Sequence, residues 1–412
     1  MIDKFKSLVA GYRNTPGYLK VALVSVWVGA ALLFLMATIG VSEHRSALTT
    51  VGKKAAPSVI NAQFIRASLA ELDSHAANEL IAKPGDNMKA TKAYEEKRQA
   101  LARALATAAE NITFGQRERE QIDTLTDGLT IYHEHITRAR KENERGRIEA
   151  LAHYRHATEL MHETLMPAAD ALDQVNSAGI ESTYSQMRSV SRATLIALFT
   201  SGGFLLAVLV ATQVFLLRRT RRTINPGLAA ASVLAALFLA YSGFMLLHSS
   251  HQLAVAKQET FPQISMLLRA RGAASEAKGQ ESGWLLDRPQ PDTYATAFTQ
   301  SVERVKALPQ SDKFVEFLNV DAQIRQLELA GDHHKAVALS IGKDPGEANY
   351  AFASYDSALQ AAFDQQQTEF QQRIDSGLYD LRLFGVMAPL VALAIAVLVL
   401  LGLRPRIAEY NV

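Results

Sequence analysis

Charged residues are spread along this chain except in four stretches, 21–42, 193–217, 227–247 and 383–403, which contain none. Each reaches the roughly 20 apolar residues that a helix needs to cross a hydrocarbon layer of about 30 Å. Between them lie two long segments, 43–192 and 248–382, whose apolar positions recur at helical spacing. In the first, a helix continuing from span one through Ile60, Phe64, Ala67, Ala70 and Ala77 is predicted to stop at Lys83-Pro84-Gly85-Asp86, where a proline removes an amide donor and a turn is offered. Helices over 90–112 and 116–143 follow, the latter ending at Gly146. A fourth starts near Arg147 and runs through Pro167, with a kink, into span two. The second segment repeats the plan. One helix leads from span three to Asp287, Arg288-Pro289-Gln290-Pro291 turns it, a second ends near Leu308-Pro309, a third ends at Gly331-Asp332, and a last runs from Glu347 into span four. The pattern predicts an all-α fold: four transmembrane helices with two extracytoplasmic four-helix bundles.

The two halves are also alike residue by residue. At a constant spacing of 205 positions, Pro57 matches Pro262, Arg66 matches Arg271, Glu71 matches Glu276, Leu80 matches Leu285 and Pro84 matches Pro289; Ala30-Ala31-Leu32 of span one falls on Ala235-Ala236-Leu237 of span three. Gapless agreement across a span and a loop points to a duplicated unit of span, outer bundle and span. Both copies start and end on the same side, so the bundles form a parallel tandem repeat rather than the inverted repeat of many transporters.

Charge then sets the orientation. Lys4, Lys6, Arg13 and Lys20 lie in the leader 1–20, Arg218, Arg219, Arg221 and Arg222 in the loop 218–226, and Arg404 and Arg406 in the tail 404–412. By the positive-inside rule these three pieces face the cytoplasm, which puts both termini inside the cytoplasmic membrane and the segments 43–192 and 248–382 outside it. Span one reads as an uncleaved signal anchor, because its apolar run exceeds that of a cleaved signal and three spans follow. The near balance of 43 Lys and Arg against 41 Asp and Glu gives no general attraction to nucleic acid, and the lack of cysteine excludes disulfides and thiol chemistry.

Candidate chemistry is sparse. No phosphate-binding glycine loop, Gly-x-Ser-x-Gly elbow or His-Glu-x-x-His motif occurs, so no enzyme and no cofactor is expected. The spans hold no ionisable residue, which argues against an ion path, and their small residues, Gly29-Ala30-Ala31, Ser201-Gly202-Gly203 and Ala229-Ala230-Ala231-Ser232, suit close helix packing. Ile264, Leu267, Leu268, Ala274 and Leu285 mark a buried stripe on which Arg271 and Glu281 also fall, and Arg66 holds the matching place in the first half. A buried guanidinium needs a carboxylate, which either a bound amino acid or anion, or Glu71, Glu276 or Glu281 of the chain itself, could supply. His153, His156 and Glu159 follow one another at single-turn spacing and form a weak metal candidate. Arg218, Arg219, Arg221 and Arg222 suit anionic lipid and a cytoplasmic docking partner.

Two segments carry a resemblance. Tyr132 to Leu172, through Ala139-Arg140, Asn143, Gly146, Ala152, Arg155, Ala157, Leu160-Met161, Leu165 and Pro167-Ala168-Ala169, is similar to the corresponding stretch of actinobacterial GlnX-type glutamine-sensor membrane proteins. LLRARGAASEAKGQESGWLLD, with Arg271, Ala274, Glu281-Ser282 and Leu285-Leu286-Asp287, is similar to their second half. His153 stands where that family has an aromatic residue, and Ile148 where it has proline. The resemblance implies outer domains like the four-helix sensory bundles of chemoreceptors. It also implies a place between an extracytoplasmic solute-binding protein and a cytoplasmic Ser/Thr kinase. The expectation is therefore a non-enzymatic transmembrane signal transducer, with a homodimer compatible with the architecture. The alternative is a structural scaffold or a transporter accessory subunit.

Overall fold

The computed structural model describes residues 15–82, 88–146, 148–220, 224–288, 290–382 and 384–408. Lys4, Lys6, Arg13, Pro84 and Pro289 lie outside them. Among the described residues there are helices and no strands. In chain order the α-helices are α1 (Thr15–Ala47), α2 (Ala56–Ile81), α3 (Met88–Glu110), α4 (Gln116–Glu144), α5 (Glu149–Leu160) and α6 (Met166–Thr220). The second half holds α7 (Pro226–Val255), α8 (Phe261–Leu286), α9 (Pro291–Lys306), α10 (Val315–Leu329), α11 (His333–Ile341), α12 (Ala348–Arg382) and α13 (Phe384–Ala408). Four helical runs, Gly17–Ile81, Glu149–Arg218, Pro226–Leu286 and Ala348–Pro405, are each long and apolar enough to cross a membrane.

Widened π-helical turns interrupt three of these runs, at Leu48–Ala55, Met161–Leu165 and Ala256–Thr260. Each is followed two residues later by a proline, Pro57, Pro167 and Pro262 respectively. Proline offers no N–H and its ring crowds the carbonyl four residues earlier, so the preceding turn loosens instead of breaking. The kink expected at Pro167 takes this form.

The chain divides into two compact units. One consists of the described parts of Met1–Thr50, Thr183–Val255 and Gln372–Val412. Leu33, Leu198, Leu205, Leu209 and Val399 are buried in its interior, and glycines stand at its close contacts. Gly29 packs on Leu205, Gly40 on Thr194 and Leu246, and Gly202 on Leu239. Gly227 lies against Gly402, where a methyl group would stand 2.7 Å from the Leu398 carbonyl oxygen, so no larger residue fits. Large apolar side chains such as Val24, Leu35, Ile196, Val210, Leu237, Leu390 and Leu401 face outward. An apolar surface of this kind belongs in lipid rather than in water.

The other unit consists of Val51–Ser182 and Ala256–Gln371 and holds two hydrophobic cores. Leu69, Leu72, Tyr94, Leu101, Ile122, Leu125, Tyr132 and Tyr154 belong to the first, formed by α2 to α5 and the start of α6. Leu267, Phe298, Val302, Phe314, Phe317, Ile324 and Tyr355 belong to the second, formed by α8 to α12. Trp284 of α8 packs against both cores. The second segment has one helix more than its sequence pattern suggests: α11, whose N-terminus is capped by Asp332 accepting from the Lys335 amide.

Candidate functional site

At the centre of this unit, α2 and α8 lie side by side. Neither is amphipathic in the usual sense, since Ala67 to Ser74 and Ala277 to Gly283 are buried without a break. Ala67, Ala70, Ser74 and Ala77 on α2, and Gly272, Ser275, Gly279 and Ser282 on α8, recur at alternating steps of three and four, a heptad seam made of small residues. A methyl group on Gly272 would lie 3.5 Å from Ala67 Cα, and one on Gly279 3.4 Å from Ser74 Cα. The two backbones therefore nearly touch, run parallel and are in register at a spacing of 205 residues.

Long charged side chains flanking the seam reach across it in both directions. Arg66 Nη1 donates to Glu276 Oε1 at 2.8 Å, and Arg271 Nε lies 2.6 Å from Glu71 Oε1. Each residue of one half pairs with the counterpart of its own helical neighbour in the other half. The arrangement continues outward. Arg66 Nε donates to Asp170 at 2.5 Å and Arg271 Nη2 to Asp356 at 3.1 Å, while Glu276 pairs with Arg304 and Glu71 with Lys97. Asp170 and Asp356 come from the last helix of each core. Lys97 and Arg304 are 207 positions apart and stand at different places along α3 and α9, so a gapless match at 205 does not join them.

Two cavities open beside the seam. The larger, of about 700 Å³, is lined by Glu71, His75, Lys97, Arg271, Ser275 and Asp356 among others. The smaller, of about 470 Å³, is lined by Gln63, Arg66, Asp170, Asp173, Arg269 and Arg304 among others. In the larger cavity Arg271 faces two carboxylates. Its Nε is close to Glu71 and Asp356 but points its hydrogen at neither, so this contact is one of charge without an aligned hydrogen bond. Burial, opposed by Arg271, pushes the Asp356 carboxyl above its ordinary value. Burial, with Lys97 and Lys343 adding like charge, pushes His75 down to about 4 and keeps its ring neutral. Ser275 Oγ is buried on the cavity wall without a hydrogen-bond partner.

The remaining sequence candidates fall elsewhere. Glu281 lines neither cavity. It is fully buried, with Oε1 3.1 Å from Lys278 Nζ and accepting from Ser340, while Oε2 is buried without a hydrogen-bond partner. Glu276 serves as the partner of Arg66 and Arg304. His153 and His156 are joined not by Glu159 but by His135 of α4, with ligand atoms of the three rings within 4.8 Å of one another. Arg218 is exposed near the end of α6, which also contains Arg219, whereas Arg221 and Arg222 lie outside the described residues.

The two segments with a family resemblance meet. Arg155 of the first donates two hydrogen bonds, of 2.8 and 2.7 Å, to fully buried Asp287 of the second. Arg140 pairs with fully buried Glu79, and Asn143 donates to the Leu80 carbonyl at 3.1 Å, which satisfies an end group of α2.

No curated protein and no solved structure matches the chain. Residues 47–185, about a third of the chain, match the family model of the actinobacterial sensor domain.

Proposed function

We propose that the protein is a non-enzymatic transmembrane signal transducer of the cytoplasmic membrane, with both termini inside, that senses an extracytoplasmic amino acid. The observation that carries this reading is the sensor-domain match over residues 47–185 in a chain with four membrane-length apolar helices. The outer unit reads as a duplication. Helices α2 and α8 begin and end at the same 205-residue spacing, their preceding π turns end at equivalent positions, and the ion pairs between them are reciprocal.

The larger cavity is the best candidate for the solute. Arg271 and Lys97 are already paired with carboxylates of the chain, so a simple anion would have to break an ion pair to reach Arg271, leaving a buried carboxylate unpaired. A zwitterion brings both charges, its carboxylate for Arg271 and Lys97 and its ammonium for Glu71 and Asp356, and the unpartnered Ser275 hydroxyl is available to it. Inserting such a solute changes the contacts between α2 and α8, whose helical runs continue into spans one and three. Small shifts of these helices are the proposed signal. Arg218, Arg219, Arg221 and Arg222 are the proposed docking surface for a cytoplasmic partner such as a Ser/Thr kinase.

Titration calorimetry of the full-length protein in detergent against the twenty amino acids, glutamine included, tests direct sensing. One of them is expected to bind, and Arg271→Ala to weaken it at least tenfold. Heat from none would leave only sensing through a solute-binding protein. Affinity capture from solubilised membranes, with and without the bound amino acid, is expected to recover a kinase that is lost when the four arginines are replaced by glutamine.

A second reading has one observation in its favour: Arg66 and Arg271 are already paired by carboxylates of the chain. A structural scaffold or transporter accessory subunit would use them so, and would give captured complexes indifferent to amino acids.

A further inference from the structure

We propose that His135, His153 and His156 form a binding site for a divalent transition-metal ion of the zinc class. His153 and His156 stand one turn apart on α5 and His135 faces them from α4, across the hairpin that turns at Gly146, whose φ of 67° is left-handed. The ring centroids lie 6.1 Å apart for His135 and His153, and 5.6 Å for His135 and His156. One nitrogen of each ring lies within 4.8 Å of the other two. Three imidazoles on a tetrahedral zinc ion, with Zn–N of about 2.0–2.1 Å, hold their nitrogens roughly 3.4 Å apart. Small side-chain rotations close that difference, and the helices need not move.

A second observation also points to a ligand. The Nδ1 atoms of both His135 and His153 are buried, and neither has a hydrogen-bond partner. A buried ring nitrogen with no partner is costly, and two of them at one spot are a ready pair of donors for a cation. His156 is exposed, so an ion can reach the site from solvent. Three protein ligands leave a fourth position for water or for a group from a partner, as in open rather than closed zinc sites. The bound ion would clasp α4 to α5 within the segment that matches the sensor domain, at a distance from the cavity at Arg271 and independent of it.

The test uses the full-length protein in detergent, purified without a histidine tag and stripped with a chelator, titrated with Zn2+ and separately with Co2+. One ion per chain is expected, with the visible absorption bands of four-coordinate Co2+. His135→Ala and His156→Ala should each weaken binding at least tenfold, whereas His334→Ala, an exposed histidine of the other core, should not. Circular dichroism checks that the variants are folded, and His135→Gln replaces any that are not. Failure to bind Zn2+, or undiminished binding in both site variants, would overturn the proposal. Because neither readout involves amino-acid binding, either result leaves the sensing proposal standing or falling by its own test.

Discussion

His75 shows how much a single buried group contributes to behaviour that can be measured. Its ring sits at the wall of the larger cavity with a pKa pushed down to about 4, against 6.5 for the unperturbed ring. In the unfolded chain the ring takes up a proton as pH falls through 6.5, while in the folded chain it does not until about 4. The unfolded state therefore gains protons first, and stability falls across that window, by at most about 3 kcal/mol for this group. His75→Gln should remove that part of the acid sensitivity. Denaturant melts of the full chain at pH 7 and at pH 5, followed by the fluorescence of Trp284 in a Trp27→Phe background, read the difference. An unchanged pH dependence in the variant would mean that the ring is solvated. Nothing in the sequence marked His75. It lies one residue beyond Ser74 of the seam, and only the approach of α8 and α12 buries it. The arginines were legible as buried cations in need of carboxylates, but their partners were not, because Arg66 and Glu276 stand 210 residues apart in the chain. Glu281 shared the same stripe as Arg271 and still went to a different network, since a stripe fixes the face of a helix and leaves the neighbour open.

At the scale of elements, the α2/α8 seam limits residue size through the contact between its two backbones. A methyl group on Gly279 would meet Ser74 Cα at 3.4 Å and its amide nitrogen at 3.5 Å, which are ordinary contacts. Alanine also favours the helix over glycine by about 1 kcal/mol. Gly279→Ala should accordingly stay within about 1 kcal/mol of the parent protein. Gly279→Leu has no room for its isobutyl group without moving a backbone, so it should separate the helices, lower the melting temperature and change the Trp284 emission. Equal melting of the leucine and alanine variants would mean that the two helices are not in close contact. The stop of α2 and the limits of α3 and α4 were readable from apolar spacing and from prolines and glycines near them, whereas the start of α2 and the end of α5, set by π turns, were not. The seam was not, because alanine, serine and glycine carry little hydrophobic signal; its trace is the alternation of three and four steps among small residues. Helix α11 was missed for a related reason: it is short, and its Asp332 cap was read as the end of the preceding helix rather than the start of another.

For the whole molecule, the spans were the most legible feature, since a helix in lipid must be apolar along its full membrane-facing length. Their packing is less so. Asn225, at the start of α7, accepts from the amides of Gly227 and Leu228 and donates to the Gly402 carbonyl at 2.7 Å. It thereby caps one span while holding another, at the glycine pair where those two backbones meet. Orientation rests on charge alone, and the chain offers a direct measurement of it because it contains no cysteine. Ile148 and Leu329 are among its most exposed apolar residues, one in each long polar segment, and Ile224 is exposed in the arginine-rich connection. Single replacements Ile148→Cys, Leu329→Cys and Ile224→Cys should each be silent for folding. With the basic segments held inside, a membrane-impermeant maleimide added to intact cells, or to spheroplasts where an outer layer blocks it, should label the first two and spare the third. The third should react only after the membrane is opened. Labelling of Ile224→Cys in sealed cells would reverse the orientation, and labelling of only one of the other two would mean that the two halves face opposite sides. The first outcome would overturn extracytoplasmic sensing, and the second would require the parallel duplication, and with it the shared seam as a sensing device, to be abandoned.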